Sequence, residues 1–168
     1  MHIIGNSIYV RGSGRGDVLI AHIESGKLVS PSEQELQEPL QDGILGQGGK
    51  RYATSLTTIE NGAAVGVIER DGTESALVIP LQEVLSIQFL GEDGKGNSYV
   101  KTAADNGGGI SVAVSRFDTN GNYLDTIPIP GNSYDFWAIK YVTLGEDGTI
   151  YQMMPAEDKL ILNSFPAN

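Results

Sequence analysis

The sequence predicts an all-β fold made of tandem antiparallel sheets, and three observations carry that expectation. Tyr9, Tyr52, Tyr99 and Tyr151 open apolar strand patterns at intervals of 43, 47 and 52 residues. Ile23, Ile68, Phe117 and Phe165 follow in second strands at intervals of 45, 49 and 48. The 22 glycines and 7 prolines among 168 residues supply the corners that short strands need. Self-similarity at roughly 40 to 50 residues, built from strands and tight turns, is the mark of β-propeller blades. The expected architecture is a single β-propeller-like domain over residues 1–168, with about four antiparallel blades at 1–42, 43–83, 84–130 and 131–168. Two of these are complete and two partial.

The fullest unit, 84–130, sets the plan. Apolar alternation at 84–91, 97–101, 110–118 and 123–130 predicts four strands, joined at 92–94, 105–109 and 119–121 by Gly-bearing corners that tolerate positive φ. The second unit repeats this, with a poor first strand at 43–46, strands at 51–56, 64–70 and 75–81, and turns at 60–62 and 70–72. The fourth has strands at 137–144, 150–154 and 159–165 and no last strand. The first has strands at 7–11 and 18–24 and a short segment at 27–30; it is expected to lack its first strand, with His2 in a frayed terminus. Pro80 and Pro128 fall in fourth strands, where the missing N–H is harmless only at an outer edge. Between the first two units, Ser30 as N-cap, Pro31 and Glu33 predict a helical turn, cut short by Pro39.

The formal charge of −10 disfavours nucleic acid and anionic lipid as partners, because both would repel the chain. Nothing in the sequence predicts membrane insertion: no run of 18 apolar residues occurs, and the first ten residues lack the basic and apolar regions of a signal peptide. The absence of cysteine removes disulfides, thiolate metal sites and a cysteine nucleophile.

Motifs that carry chemistry are few. His22 lies in the alternating strand VLIAHIE and is read as structural. No G-x-S-x-G elbow is present to support a serine nucleophile. Arg15-Gly16-Asp17 spells an integrin-type tripeptide and is read as chance in a Gly-rich loop. Gly48-Gly49-Lys50 lacks phosphate-loop spacing and is assigned to a turn. Residues 118–122 place oxygens alternately but without the glycine and acid spacing of a calcium loop, so a hairpin is expected. Glu92, Asp93, Glu146 and Asp147 are read as solvated turn residues. No metal site and no cofactor are expected.

Residues 91–100 (GEDGKGNSYV) and 114–124 (VSRFDTNGNYL), with a second opening at 146–152 (EDGTIYQ), resemble the D-x-x-G-N-x-Y-V and V-x-x-F-D-x-x-G repeat of NHL-like bacterial β-propellers. The resemblance is strongest over residues 84–165. It implies a bacterial, often extracellular or surface-attached scaffold. A closed ring usually needs about four to eight blades, so two complete and two partial ones imply part of a larger propeller or an array completed in a homo-oligomer. In such a fold the connector 130–137 (PGNSYDFW) and the 105–109 loop share one face. Tyr134 and Trp137, beside Asp105 and Asn106, are therefore the expected ligand-binding residues for a protein or glycan. The expected function is a noncatalytic scaffold or interaction module that binds through this face or assembles through open blade edges. The alternative is a piece of a propeller hydrolase or lyase using paired carboxylates.

Overall fold

The computed structural model describes residues 2–11, 17–37, 43–53, 57–60, 62–69, 71–105, 107–130 and 141–167. Its strands form four antiparallel sheets, confirming the all-β class. The chain divides into two compact units, Met1–Thr54 with Gly66–Ser75, and Ser55–Val65 with Ala76–Asn168.

In the first unit, β1 (His2–Ile4), β2 (Ser7–Arg11), β3 (Asp17–Glu24) and β4 (Lys27–Val29) pair in chain order. The first sheet is therefore four-stranded, which corrects the expectation of a missing first strand and a frayed His2. The reason is local: Ile4 pairs with Ser7, and Gly5 at φ 57 closes the two-residue turn that folds His2–Ile4 back onto β2.

A single-turn helix, α1 (Glu33–Gln37), follows β4. Its cap is Ser32 rather than Ser30. The Ser32 hydroxyl accepts from the Glu35 N–H at 3.3 Å, while the Ser32 N–H donates to Glu35 Oε2 at 2.8 Å, a reciprocal capping box two residues beyond the expected one. After β5 (Ile44–Leu45) and a 3-10 turn at Gln47–Gly49, β6 (Arg51–Tyr52) pairs with the last residues of β8 (Gly62–Ile68).

In the second unit, β7 (Thr57–Ile59), a strand the sequence reading did not separate, pairs with the first residues of β8. Within this unit Thr57 opposes Ala64 and Ile59 opposes Gly62. β9 (Glu74–Ile79) also pairs with β8. Next come β10 (Val84–Glu92), β11 (Ser98–Asp105), β12 (Ile110–Phe117) and β13 (Tyr123–Ile129), paired in chain order with Pro128 on the outermost strand. The last sheet is β14 (Val142–Leu144), β15 (Ile150–Pro155) and β16 (Leu160–Phe165).

One hairpin corner recurs. In residues 69–73, 93–97, 118–122 and 145–149 the first N–H donates to the fifth carbonyl, the fourth N–H donates to the first carbonyl, and the fourth residue is a glycine at φ 80 to 87. This is a turn with an αL glycine bulge, and glycine is required because a Cβ is strained at that φ.

The sheet β10–β13 and the sheet β14–β16 share a core. Tyr99, Val112, Val114 and Ile129 from the first pack with Val142 and Ile150 from the second, with Leu144 and Phe165 against them. The corners meet as well, since the Gly94 N–H donates to the Glu146 carbonyl at 2.7 Å. All seven residues from 98 to 104 of β11 are buried, so both faces of this strand are covered. Among the described residues no helix is long and apolar enough to cross a membrane.

Candidate functional site

A hydrogen-bonded set of polar side chains with a cleft beside it lies in the first unit. Ser7 on β2 and His22 on β3 are cross-strand partners, so their side chains share a face of the sheet. Ser7 Oγ lies 3.0 Å from His22 Nδ1, and His22 Nε2 lies 3.1 Å from Glu35 Oε1. Glu35 stands at the third position of α1, where the cap fixes it: Ser32 Oγ donates to Oε2 at 2.7 Å in addition to the Ser32 N–H. A carboxylate only accepts, so the proton of the Glu35 contact sits on Nε2; a neutral ring then accepts the Ser7 hydroxyl at Nδ1.

These bonds hold the Glu35 carboxyl below the usual carboxylate range, chiefly through the Ser32 side chain and N–H and then through His22. Beside the cluster is a cleft of about 420 Å³, lined by Asn6, His22, Ile23, Glu24, Ser30, Ser32 and Glu35.

The order hydroxyl, imidazole, carboxylate is that of a nucleophilic relay. One feature sets it apart from such a relay. Ser7 lies outside the lining of the cleft, so the hydroxyl does not face the space a substrate would fill. The carboxyl is held as the anion, the state that a relay and a purely structural bond share, so its charge does not separate the two. What the arrangement does is fasten α1 to the first sheet.

Of the residues expected to bind a ligand, Asp105 is described. It is exposed at the end of β11, and its Oδ1 accepts the Gly107 N–H at 2.8 Å, an Asx turn within its own loop. Asn106, Tyr134 and Trp137 lie outside the described residues. His22 is part-buried and doubly hydrogen-bonded, in keeping with a structural role. Asp17, the acid of the Arg15-Gly16-Asp17 tripeptide, is 6% exposed and accepts the Leu45 N–H at 3.0 Å, so it is not displayed for a receptor. Asp93 is not a solvated turn residue: it is 2% exposed and accepts from Lys95, Asn97 and Tyr99. Among the described residues no three His, Asp or Glu side chains are grouped to hold a metal ion.

Ser7, Ser32 and Glu35 were not singled out by the sequence reading. The signal for two of them is the Ser32-Glu33-Gln34-Glu35 capping box. The pairing of Ser7 with His22 depends on strand register across a Gly-rich loop, which no local pattern states. Comparison with protein-family models, with curated proteins and with solved structures finds no match.

Proposed function

We propose that this protein is a noncatalytic scaffold of β-propeller type, resembling the NHL-like repeats, that recognises a protein or glycan and assembles through its sheet edges. The observation that supports this most directly is β11, whose residues 98–104 are buried on both faces. A sheet covered on both faces is what a blade flanked by neighbours requires, and the corner-to-corner contact of Gly94 with Glu146 suits radial stacking of successive blades. The outermost place of the Pro128 strand agrees with a rim.

The first test is binding. Peptide and glycan arrays probed with the protein should give a signal that is lost in Tyr134→Ala or Trp137→Ala at unchanged stability. The second is turnover. Activated esters and glycosides should not be hydrolysed above background, and turnover abolished by His22→Ala and by Glu35→Gln would replace the scaffold reading with a hydrolase.

A further inference from the structure

Among the described residues one polar side-chain bond fastens α1 to the first sheet. No side chain from 32 to 36 is buried, and Leu36, the one large apolar residue among them, is 64% exposed. A helix of five residues does not persist on its own backbone bonding. What joins it to the strands is the bond between Glu35 Oε1 and His22 Nε2, since the other side-chain bonds of Glu35 return to Ser32 within the cap. The same bond shapes the cleft. His22, Ile23 and Glu24 line it from β3, and Ser32 and Glu35 line it from the capped turn, so releasing α1 removes that wall.

One partner of the bond changes charge near neutral pH. An imidazole titrates between about pH 5 and 8, whereas the Glu35 carboxyl, held below the usual carboxylate range by Ser32 and then His22, stays an anion there. With a neutral ring, Nε2 donates to Glu35 and Nδ1 accepts from Ser7. With a protonated ring, Nδ1 becomes a donor and the Ser7 hydroxyl turns to accept, so neither contact is lost and the Glu35 bond becomes an ion pair. The other groups around the ring are Glu24, two residues along β3, Lys27, which opposes Glu24 on β4, and Glu33 of α1. The two acids favour a proton on the ring and Lys27 works against Glu24; β2 brings the neutral hydroxyls of Ser7 and Tyr9, and β4 places Val29 opposite His22.

We propose that α1 is a proton-controlled latch on this cleft: protonation of His22 tightens its bond to Glu35 and holds the wall in place, and loss of that proton loosens it. The tightening is complete below the imidazole range, about pH 6 to 7, and is lost as pH rises through it. In acid it is lost again once Glu35 takes up a proton, below the ordinary carboxylate value of about 4.3. Docking is therefore greatest near about pH 5. His22 and Glu35 are 22% and 39% exposed, so the gain is that of a surface pair, about two- to fivefold in the docking equilibrium. The latch is independent of whether the sheets recognise a protein or a glycan.

Nuclear magnetic resonance of the full isotope-labelled chain tests it. Because the released helix does not persist, the Cα shifts of residues 33–36 report docking. Ring protons report His22, and His2→Gln identifies them in a chain with two histidines. The docking equilibrium should fall about two- to fivefold from about pH 5.5 to about pH 8, with the midpoint of the His22 ring, while β2 and β3 signals stay constant. Glu35→Gln keeps a capping-box residue without the charge, and His22→Gln keeps a donor without the titration; both should flatten the profile. A wild-type helix signal that is constant over this range, or a pH dependence that survives in either variant, overturns the inference.

Discussion

The Tyr99 hydroxyl donates a 3.0 Å hydrogen bond to Asp93, and the two residues are 0% and 2% exposed. Asp93 begins the 93–97 corner, and its other oxygen accepts the Lys95 and Asn97 N–H groups at 2.9 Å. The bond therefore ties a core aromatic on β11 to the hairpin that precedes it. Tyr99→Phe removes one donor and leaves three, so it should destabilise by about 1–2 kcal/mol. Asp93→Ala strands the buried hydroxyl and the corner N–H groups together and should cost about 2–4 kcal/mol. Urea denaturation gives both numbers, and an Asp93→Ala protein as stable as the wild type would refute the role of the pair.

Gly148 stands over that bond. A Cβ built on it would lie 2.6 Å from the Tyr99 hydroxyl oxygen and 3.1 Å from Asp93 Oδ2, at φ 84. The equivalent glycine of the 69–73 corner, Gly72, has φ 87 and nothing within 4 Å. Gly72→Ala should show only the strain of the left-handed conformation, about 1 kcal/mol. Gly148→Ala adds a collision with buried groups and should lose at least about 2 kcal/mol more. Equal melting temperatures for the two variants would show that Tyr99 yields freely.

Much of the third sheet was legible because its signals are local. Apolar strand patterns marked β10 to β13, though 97–101 fell short of β11 because its buried run reaches Ala104; Asp-Gly and Asn-Gly corners marked the turns, and Pro128 the outer strand. The miss at β1 came from underweighting Gly5-Asn6, a two-residue turn that needs only glycine in its first place. The helix was displaced by two residues because Ser30 and Ser32 offer competing caps, each with a glutamate three residues on, and it is Glu35 that bonds back to its serine. The Ser7, His22 and Glu35 cluster was illegible for a different reason: it joins three segments whose registers are set by tertiary pairing. Asp93 was misread because its turn resembles the exposed 118–122 corner, while its burial is supplied by the sheet β14–β16 and Tyr99.

The pair also sets a pH window. Burial pushes the Asp93 carboxyl up, but the bonds from Asn97, Lys95 and Tyr99 outweigh it and hold the group below its ordinary value. Its contribution is therefore present above the unfolded pKa, about 3.9, and is lost as pH falls through the lower folded value. The Tyr99 phenol is pushed up by burial, then by the bond to Asp93 and its charge. That contribution is full below the unfolded pKa, about 10, and is lost as pH rises toward the folded value. The stability difference between wild type and Asp93→Asn should be flat between about pH 6 and 9 and should narrow below about pH 4. A difference that widened in acid would reverse the assigned sign.

Arg116 offers the sharpest test of how the third sheet holds a charge in its interior. It pairs across β12 with Tyr99 on one side and Asp125 on the other, and is 8% exposed. Its Nε donates to Asp125 Oδ1 at 2.6 Å, and a terminal nitrogen donates to Asp125 Oδ2, a bidentate fork. The fork raises the guanidinium pKa further, with burial acting against it, so the charge stays on Arg116 at any accessible pH. Asp125→Ala therefore cannot be relieved by deprotonation and, because the Asp125 side chain is 43% exposed and water can take part of its place, should cost about 1–3 kcal/mol, between a surface and a buried pair. Replacing both groups, as Arg116→Met with Asp125→Leu, removes the charge with its partner and should cost less than Asp125→Ala alone. The comparison is made by denaturant unfolding of the single and double variants. A double variant less stable than Asp125→Ala would mean that the arginine contributes through its stem packing beside Tyr99 more than through its charge.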